Sequence, residues 1–283
     1  MKTCLVLGGG ALRGIYTAGV LDELMKENIK IDTIIGVSMG ALIGVNYLSN
    51  QPGRALRYNL DYCNDKRYMS LSSLIKTGNL VNKEFAYYKL PEELDKFDYK
   101  TYNKSKTKLY CVITNVETGC PEYIKVKDAK KDIEYLRATS AMPAVSKIIE
   151  INNKKYLDGG LSDSIPIKYA LSKKFDKIIV VTTQPIDYRK KEGKQKLFSF
   201  IYRKYPNFVN TINNRGKEYN KTLEEIKKLE KQNKIFVIRP STKINIKRVE
   251  KNPEIIKAQY NLGVKDFKNK LKDLKEYLRW LYE

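Results

Sequence analysis

A serine stands in the pattern Gly-x-Ser-x-Gly within the stretch TIIGVSMGALIGV, residues 33–45. Gly36 and Gly40 flank Ser38 at the spacing that serine hydrolases use for a sharp turn between a strand and a helix. The small residues allow a strained backbone to hold the hydroxyl clear of the sheet. We therefore interpret Ser38 as a candidate nucleophile. The alternative is an ordinary glycine-rich turn that carries an inert serine.

The chain of 283 residues contains no histidine. This excludes a Ser-His-Asp triad, a Cys-His protease and a histidine-based metal centre within the chain. The four cysteines, Cys4, Cys63, Cys111 and Cys120, form no C-x-x-C pair, so we expect free thiols, no metal and no cofactor. A Ser-Lys dyad would also need no histidine, but no Ser-x-x-Lys pattern begins at Ser38.

Two further segments hold residues that could support a serine nucleophile. The glycines of LGGGALRG, residues 7–14, would let backbone N–H groups approach an anion, either a phosphate or an oxyanion. A dinucleotide site is disfavoured because no acidic residue ends the next strand. A P-loop is also disfavoured because no Gly-Lys-Ser/Thr follows the glycines. In YLDGGLSDSIPIKYAL, residues 156–171, Asp158 precedes two glycines, a pattern that also suits a plain β-turn.

The elements that must position these residues follow a repeated order of strand, loop and helix. CLVL, residues 4–7, predicts a buried strand, and residues 15–28 have the apolar spacing of a helix. A second strand at TIIGV enters the serine turn, and ALIGVNYLSN leaves it as a helix. Successive units of this kind indicate a parallel sheet with helices on its faces. Further predicted elements are strands over 108–116, 177–183 and 234–240, amphipathic helices over 216–232 and 253–282, and a helical and irregular cap over 50–105.

The net charge is +22, and it is unevenly distributed. Residues 1–185 hold 28 basic and 20 acidic residues, whereas residues 186–283 hold 26 and 12. Each basic residue near an anionic membrane contributes about 1 kcal/mol of attraction, so the C-terminal third could contact such a surface. The alternative is a solvated surface that keeps the protein soluble. Nucleic acid is a less favoured partner because no recognised binding motif accompanies the charge.

The chain has no internal repeat and no low-complexity linker. We predict a single domain over 1–283, with all motifs in a core over 1–185 and a basic, mostly helical portion over 186–283. The first apolar run is too short for a signal peptide, and no segment approaches membrane-spanning length. We therefore expect a cytoplasmic protein, with peripheral membrane contact as an open alternative.

The glycine-rich loop, the G-x-S-x-G turn and the D-G-G motif, in this order, resemble the patatin-like phospholipase family. The resemblance covers roughly residues 2–185 and thins out beyond them. ATSAMPAV, residues 138–145, is similar to the family's stretch of small residues, serine and proline before the aspartate. The resemblance implies a three-layer α/β/α sandwich with a mostly parallel central sheet.

The resemblance also implies a Ser-Asp dyad that works without histidine, in agreement with the composition. Ser38 would be the nucleophile and form an acyl-serine, and Asp158 would be its base, in a turn with Gly159 and Gly160. An aspartate with an ordinary pKa near 3.9 is a poor base for a hydroxyl group. We therefore expect burial to raise the pKa of Asp158 and oxyanion donors to contribute much of the rate.

The glycine-rich loop would supply those donors. The roles implied by the resemblance are oxyanion donation by the N–H groups of Gly9, Gly10 and Ala11, and support from Gly8, Arg13 and Gly14. Ala11 stands where the family has its middle glycine, so a positive φ there would be strained and could reduce activity. Arg13 would hold the loop or meet a lipid phosphate. Ser164 stands where the family often has asparagine, and we expect it to support the turn.

The sequence thus predicts a serine lipid acyl hydrolase that cleaves carboxylic ester bonds of phospholipids. One alternative is a general carboxylesterase or thioesterase, which turnover independent of vesicles would reveal. Another is a basic membrane-binding protein with a vestigial active site. It would bind membranes without turnover, and Ser38→Ala would leave this binding unchanged.

Overall fold

A central sheet organises the described residues, 2–191 and 195–279, of the computed structural model. Within these residues it has eight strands: β1 (Thr3–Leu7), β2 (Thr33–Val37), β3 (Lys108–Asn115), β4 (Pro121–Val126), β5 (Ile149–Ile151), β6 (Lys154–Asp158), β7 (Lys177–Val181) and β8 (Phe236–Ile238). The strands β3-β2-β1-β7-β8 are neighbours in this order and run parallel. The remaining three pair antiparallel at the β3 side.

Helices lie in the connections between these strands. They are α1 (Ile15–Lys26), α2 (Met39–Leu48), α3 (Arg54–Tyr62), α4 (Leu71–Thr77), α5 (Tyr99–Lys104), α6 (Ile133–Thr139), α7 (Ile167–Ser172), α8 (Gln195–Ile201), α9 (Pro206–Lys231) and α10 (Pro253–Arg279). A wider helical segment spans Phe85–Leu94, and single 3₁₀ turns span Ala11–Gly14 and Gly159–Leu161. In this part of the chain, none of the helices is both long and apolar enough to cross a bilayer.

The central strands are buried on both faces, which explains their continuous apolar sequences. Successive side chains of a strand point to opposite faces. In β1, Leu5 and Leu7 therefore join the core cluster on one face, and Cys4 and Val6 join the cluster on the other. Helices cover both clusters, and this confirms the predicted three-layer arrangement with a mostly parallel sheet.

The register of the parallel strands brings the two glycine-containing turns together. Leu7, the last residue of β1, pairs with Gly36 of β2 and with Val181 of β7. The carboxyl ends of these strands consequently lie at one edge of the sheet. The glycine-rich loop that follows β1 and the serine turn that follows β2 are neighbours at this edge.

Several elements differ from the sequence-based expectation. Strands β4, β5 and β6 were not predicted, since they are short and carry lysine and glutamate among their apolar residues. Helix α9 begins at Pro206, ten residues before the predicted start; proline suits a first turn because its missing N–H needs no partner there. The predicted helix at 253–282 is observed to Arg279, and its last three residues lie outside the described residues. Strand β8 lies within the predicted 234–240.

Helix α10 packs on α1 through two glycines. A Cβ added to Gly19 would lie 2.3 Å from the carbonyl oxygen of Tyr260, and one added to Gly263 would lie 2.1 Å from that of Tyr16. Each tyrosine also donates its hydroxyl to an aspartate of the opposite helix, at 3.1 Å for Tyr16 and 2.7 Å for Tyr260. The last described helix is therefore closely joined to the helix that follows the glycine-rich loop.

Candidate active site

Ser38 lies in a tight turn between β2 and α2. Its backbone has a φ of 54° and a ψ of −127°, a strained conformation for a residue with a side chain. A Cβ on Gly36 would lie 2.6 Å from Cα of Ala41, and one on Gly40 would lie 2.6 Å from the carbonyl oxygen of Leu7. Glycine is therefore required on both sides of the serine, because the turn presses backbone against backbone.

The turn is held from outside by Thr139, the last residue of α6. The Ser38 N–H donates to the Thr139 hydroxyl at 2.9 Å, and that hydroxyl donates to the carbonyl oxygen of Val112 in β3. Two buried hydrogen bonds thus fix the strained peptide against the sheet. Thr139 lies within residues 138–145, whose likeness to a family motif is visible in the sequence, but its contact with the serine turn is not.

Asp158 meets the serine from the antiparallel side of the sheet. It is the last residue of β6, not a turn residue as its D-G-G context suggested. The Ser38 hydroxyl donates to its Oδ2 at 2.8 Å, and the Gly160 N–H donates to its Oδ1 at 2.7 Å. A Cβ on Gly159 would lie 2.0 Å from the carbonyl oxygen of Val112, so the chain must turn here with glycine. Both members of the pair are almost fully buried.

Burial raises the pKa of Asp158 above its ordinary value, because the carboxylate loses solvation. The charge of Arg215, the Gly160 N–H and the Ser38 hydroxyl all stabilise the carboxylate and oppose part of this rise. The pKa is therefore shifted in the direction that makes an aspartate a stronger base. The guanidinium of Arg215 also donates to the Gly160 carbonyl oxygen at 2.5 Å, a contact that no motif in the sequence indicated.

The first part of the glycine-rich loop is bonded to the protein itself. Gly8 donates its N–H to a carbonyl of β7 at 3.0 Å, and Gly9 donates its N–H to the carbonyl oxygen of Ser164 at 3.1 Å. The expected oxyanion donation by Gly9 therefore needs correction, since this N–H already has a partner. The N–H groups of Gly10 and Ala11 make no hydrogen bond to any described residue, and both residues line a cavity beside the serine hydroxyl.

The second part of the loop is strained and closely packed. Ala11 has a φ of 49°, the positive value expected for the middle position of the loop. A Cβ on Gly14 would lie 2.6 Å from Cγ of Met39, the residue after the serine. The guanidinium of Arg13 donates to the carbonyl oxygen of Gly10 at 3.2 Å and so braces the loop. Ser164 likewise braces the D-G-G turn, as expected, through its hydroxyl bond to a carbonyl there.

We expect Ala11→Gly to raise the free energy of unfolding by about 1 kcal/mol, because glycine adopts positive φ without steric strain. Urea unfolding monitored by circular dichroism measures this change. Ala258→Gly is the matched control: it lies on an exposed part of α10, where glycine should lower stability by about 1 kcal/mol. A loss of stability in both variants would show that the loop does not hold Ala11 at positive φ.

Two cavities meet at Ser38. The first, of about 190 Å³, is mainly apolar; its lining includes Leu42, Tyr58, Tyr87, Leu90, Leu136 and Ile149. The second, of about 1190 Å³, contains the Asp158 carboxylate and several cationic side chains. Six residues line both cavities: Ala11, Ser38, Leu80, Met142, Val145 and Arg248. A molecule with an apolar arm and a polar arm could therefore place the bond between them at the serine hydroxyl.

The sheet, the serine turn and the buried carboxylate define the class of α/β proteins that present a serine at the carboxyl edge of a parallel sheet. The family model described as "Patatin-like phospholipase" matches residues 5–171. The chain belongs to this family. A second model, "Domain of unknown function (DUF6363)", matches residues 205–279.

Several proteins with curated names are similar to this chain. "Probable lipid hydrolase 463L" of Invertebrate iridescent virus 6 is 30% identical over 220 residues, which cover 70% of this chain and 75% of that protein. "Uncharacterized protein YjjU" of Escherichia coli K12 is 28% identical over 190 residues, which cover 65% of this chain and 52% of that protein. "Lysophospholipase nte1" of Aspergillus oryzae is 27% identical over 199 residues, which cover 67% of this chain and 12% of that protein. The match thus spans about half of the E. coli protein and a small part of the fungal one.

Proposed function

We propose that the chain hydrolyses carboxylic ester bonds of phospholipids, with Ser38 as nucleophile and Asp158 as general base. The observation that carries this proposal is the 2.8 Å hydrogen bond between the Ser38 hydroxyl and Oδ2 of Asp158, at the meeting point of an apolar and a polar cavity. A candidate base must lie within hydrogen-bond reach of the proton that it removes, and Asp158 meets this requirement.

The reaction would proceed in two halves. Asp158 accepts the hydroxyl proton while Oγ of Ser38 bonds to the ester carbonyl carbon, and the carbonyl oxygen becomes an oxyanion near the N–H groups of Gly10 and Ala11. Collapse breaks the ester bond, and the leaving alcohol takes the proton from Asp158. Water, deprotonated by the same carboxylate, then attacks the acyl-serine. This releases a fatty acid, and the proton returns to Oγ of Ser38.

The apolar cavity supports a lipid as substrate, because the acyl chain would lie among its aliphatic and aromatic side chains. The names of two relatives, a probable lipid hydrolase and a lysophospholipase, agree with this choice. An acyl group at the serine also fits the general preference of ligand pockets for a largely apolar lining with a few polar groups.

We also propose peripheral contact with an anionic membrane. Large apolar side chains are exposed on α4, where Leu71 is 72% and Ile75 is 85% exposed, and on α8, where Phe200 is 68% exposed. Phe198 of α8 and Leu80, which follows shortly after α4, line the larger cavity. Together with the excess of lysine and arginine after residue 185, these side chains would suit a negatively charged lipid surface.

Intact-protein mass spectrometry after exposure to a long-chain fluorophosphonate tests the proposal. We expect a single adduct on the wild type, no adduct on Ser38→Ala, and faster labelling in the presence of anionic vesicles. Ser72→Ala removes an exposed serine on α4 and is the matched control, which should label like the wild type. No adduct with or without vesicles would contradict the hydrolase mechanism. Labelling that vesicles do not accelerate would argue against the membrane contact.

A further inference from the structure

The larger cavity beside Ser38 holds an unusual group of cations. Its lining includes the side chains of Arg13, Lys190, Arg215 and Arg248, which we call the cationic cluster. Lys190 and Arg215 are partly buried, yet within residues 2–191 and 195–279 no member of the cluster forms an ion pair. Asp158 and Asp187 also line this cavity. The charge of Asp158 acts on both Lys190 and Arg215, but its carboxylate is already bonded to the serine and to Gly160.

The hydrogen bonds that hold the cluster in place do not compensate its positive charges. Arg215 donates to the carbonyl oxygen of Gly160, and Arg13 donates to that of Gly10. The backbone of Lys190 exchanges two hydrogen bonds with the side-chain amide of Asn220 in α9, at 2.8 and 3.0 Å. Neutral carbonyl and amide groups fix the positions, and they supply no negative charge.

Burial and the neighbouring positive charges both act on Lys190. Burial, followed by the positive charges of Arg215, Arg248 and Arg13, lowers the pKa of Lys190 to about 7, and Asp158 opposes this only in part. Burial likewise lowers the pKa of Arg215. Like charges that outnumber the carboxylates around them are unfavourable unless a further anion joins them. Guanidinium groups suit a phosphate, since their planar N–H donors match its oxygens.

We propose that the cationic cluster binds the phosphate of the substrate's leaving group, and that this phosphate is a monoester. The inference rests on the proposed function, because the apolar cavity on the other side of Ser38 would hold the acyl chain. A phosphate monoester carries about −1.5 to −2 charges at neutral pH. This suits three arginines, and a lysine that a bound anion would keep protonated, better than the single charge of a diester. A quaternary ammonium headgroup would be repelled. The preferred substrate class is therefore acylated glycerol phosphate rather than a choline lipid.

Binding to the catalytically disabled Ser38→Ala protein tests the site without turnover. We expect calorimetry to detect binding of sn-glycerol 3-phosphate. Glycerophosphocholine should bind at least tenfold more weakly, and glycerol should not bind. The double variant Lys190→Gln/Arg248→Gln should weaken the binding of glycerol 3-phosphate at least tenfold. Lys265→Gln removes an exposed charge of α10 and should have no effect. Arg215 is left intact because it also holds the D-G-G turn.

Two binding results would overturn the proposal. Equal affinity for glycerol 3-phosphate and glycerophosphocholine would mean that the cluster does not select a phosphate monoester. Inorganic phosphate that binds as tightly as glycerol 3-phosphate would mean that the site holds a free ion rather than a lipid headgroup.

Turnover separates this inference from the proposed function. In neutral detergent micelles, we expect lysophosphatidate to be hydrolysed with a kcat/KM at least tenfold above that of lysophosphatidylcholine with the same acyl chain. The double variant should lose this preference, and Lys265→Gln should keep it. If a fluorophosphonate labels wild-type Ser38 but hydrolysis shows no headgroup preference, the phosphate site is refuted and the hydrolase mechanism is retained. If glycerol 3-phosphate binds but Ser38 is not labelled, the phosphate site is supported and the hydrolase mechanism is contradicted.

Discussion

Asp158→Asn is expected to lower the rate of ester hydrolysis about a thousandfold, within the range that removal of a general base gives. The amide preserves the shape of the side chain and can accept the Gly160 hydrogen bond, but it cannot take the proton of the Ser38 hydroxyl. In the wild type, kcat/KM should fall as the pH decreases through the raised pKa of Asp158, because the base becomes protonated. A pH profile with a soluble nitrophenyl ester measures both effects.

The same substitution should make the protein more stable at neutral pH. The pKa of Asp158 is higher in the folded than in the unfolded protein, so the folded state binds more protons between the two pKa values. Stability therefore falls as the pH rises through this window, and the full penalty of the buried carboxylate is present above it. Asp158→Asn removes this penalty at pH 7, and its advantage should vanish below the unfolded pKa near 3.9.

Asp22→Asn is the matched control for the rate. Asp22 is another carboxyl group whose pKa is raised by burial, but it lies in α1 and bonds to Gly53 and Tyr260. Its replacement should leave the rate of ester hydrolysis unchanged. A full rate in Asp158→Asn would remove Asp158 from the mechanism. A loss of both rate and stability would indicate a disrupted site instead of a missing base.

Gly263→Ala should destabilise the protein by about 3 kcal/mol, at the upper end of the effects of overpacking. The added methyl group would lie 2.1 Å from the carbonyl oxygen of Tyr16, and a backbone atom cannot turn aside as a side chain can. Helices α1 and α10 would have to separate. Urea unfolding of the purified variant measures the loss.

Gly216→Ala provides a control of opposite sign. Gly216 lies inside α9, and a Cβ there would find its nearest neighbour at 3.5 Å. Alanine has the higher helix propensity, so this variant should gain about 0.5–1 kcal/mol. Equal unfolding midpoints for Gly263→Ala and the wild type would show that α1 and α10 are not in close contact.

The sequence predicted those parts of the site in which local geometry demands particular residues. The turn around Ser38 needs Gly36 and Gly40, and this need appears as a short pattern between an apolar run and a helix. The positive φ of Ala11 was likewise foreseeable from its place in the loop. These features depend on neighbours in the chain, so a single sequence can reveal them.

Contacts between distant segments were not predictable in this way. Arg215 and Lys190 reach the site from the C-terminal portion, where no motif distinguishes them from the many other basic residues. The bond of Thr139 to the serine turn joins residues 101 positions apart. Gly9 stands in the motif beside Gly10, but its bond to Ser164 is visible only when the loop and the D-G-G turn are placed together.

The domain division at residue 185 stays a prediction. In the structure, β8 of the C-terminal portion pairs in parallel with β7 of the core, and α10 packs on α1. The two family matches, over 5–171 and 205–279, therefore fall on segments that share one sheet. A cut between them would expose an edge of β7 and the apolar face of α1.

The glycine contact between α1 and α10 also has a consequence for the timing of biosynthesis. Ribosomes add about 5–20 residues per second, so roughly 10–45 s pass between the addition of Ser38 and that of Gly263. For most of this interval the nascent chain carries the serine turn without Arg215, and for nearly all of it without Arg248 and the glycine of α10 that packs on α1. The close packing of α10 on α1 can therefore form only after translation has passed residue 263, so this part of the fold is completed last.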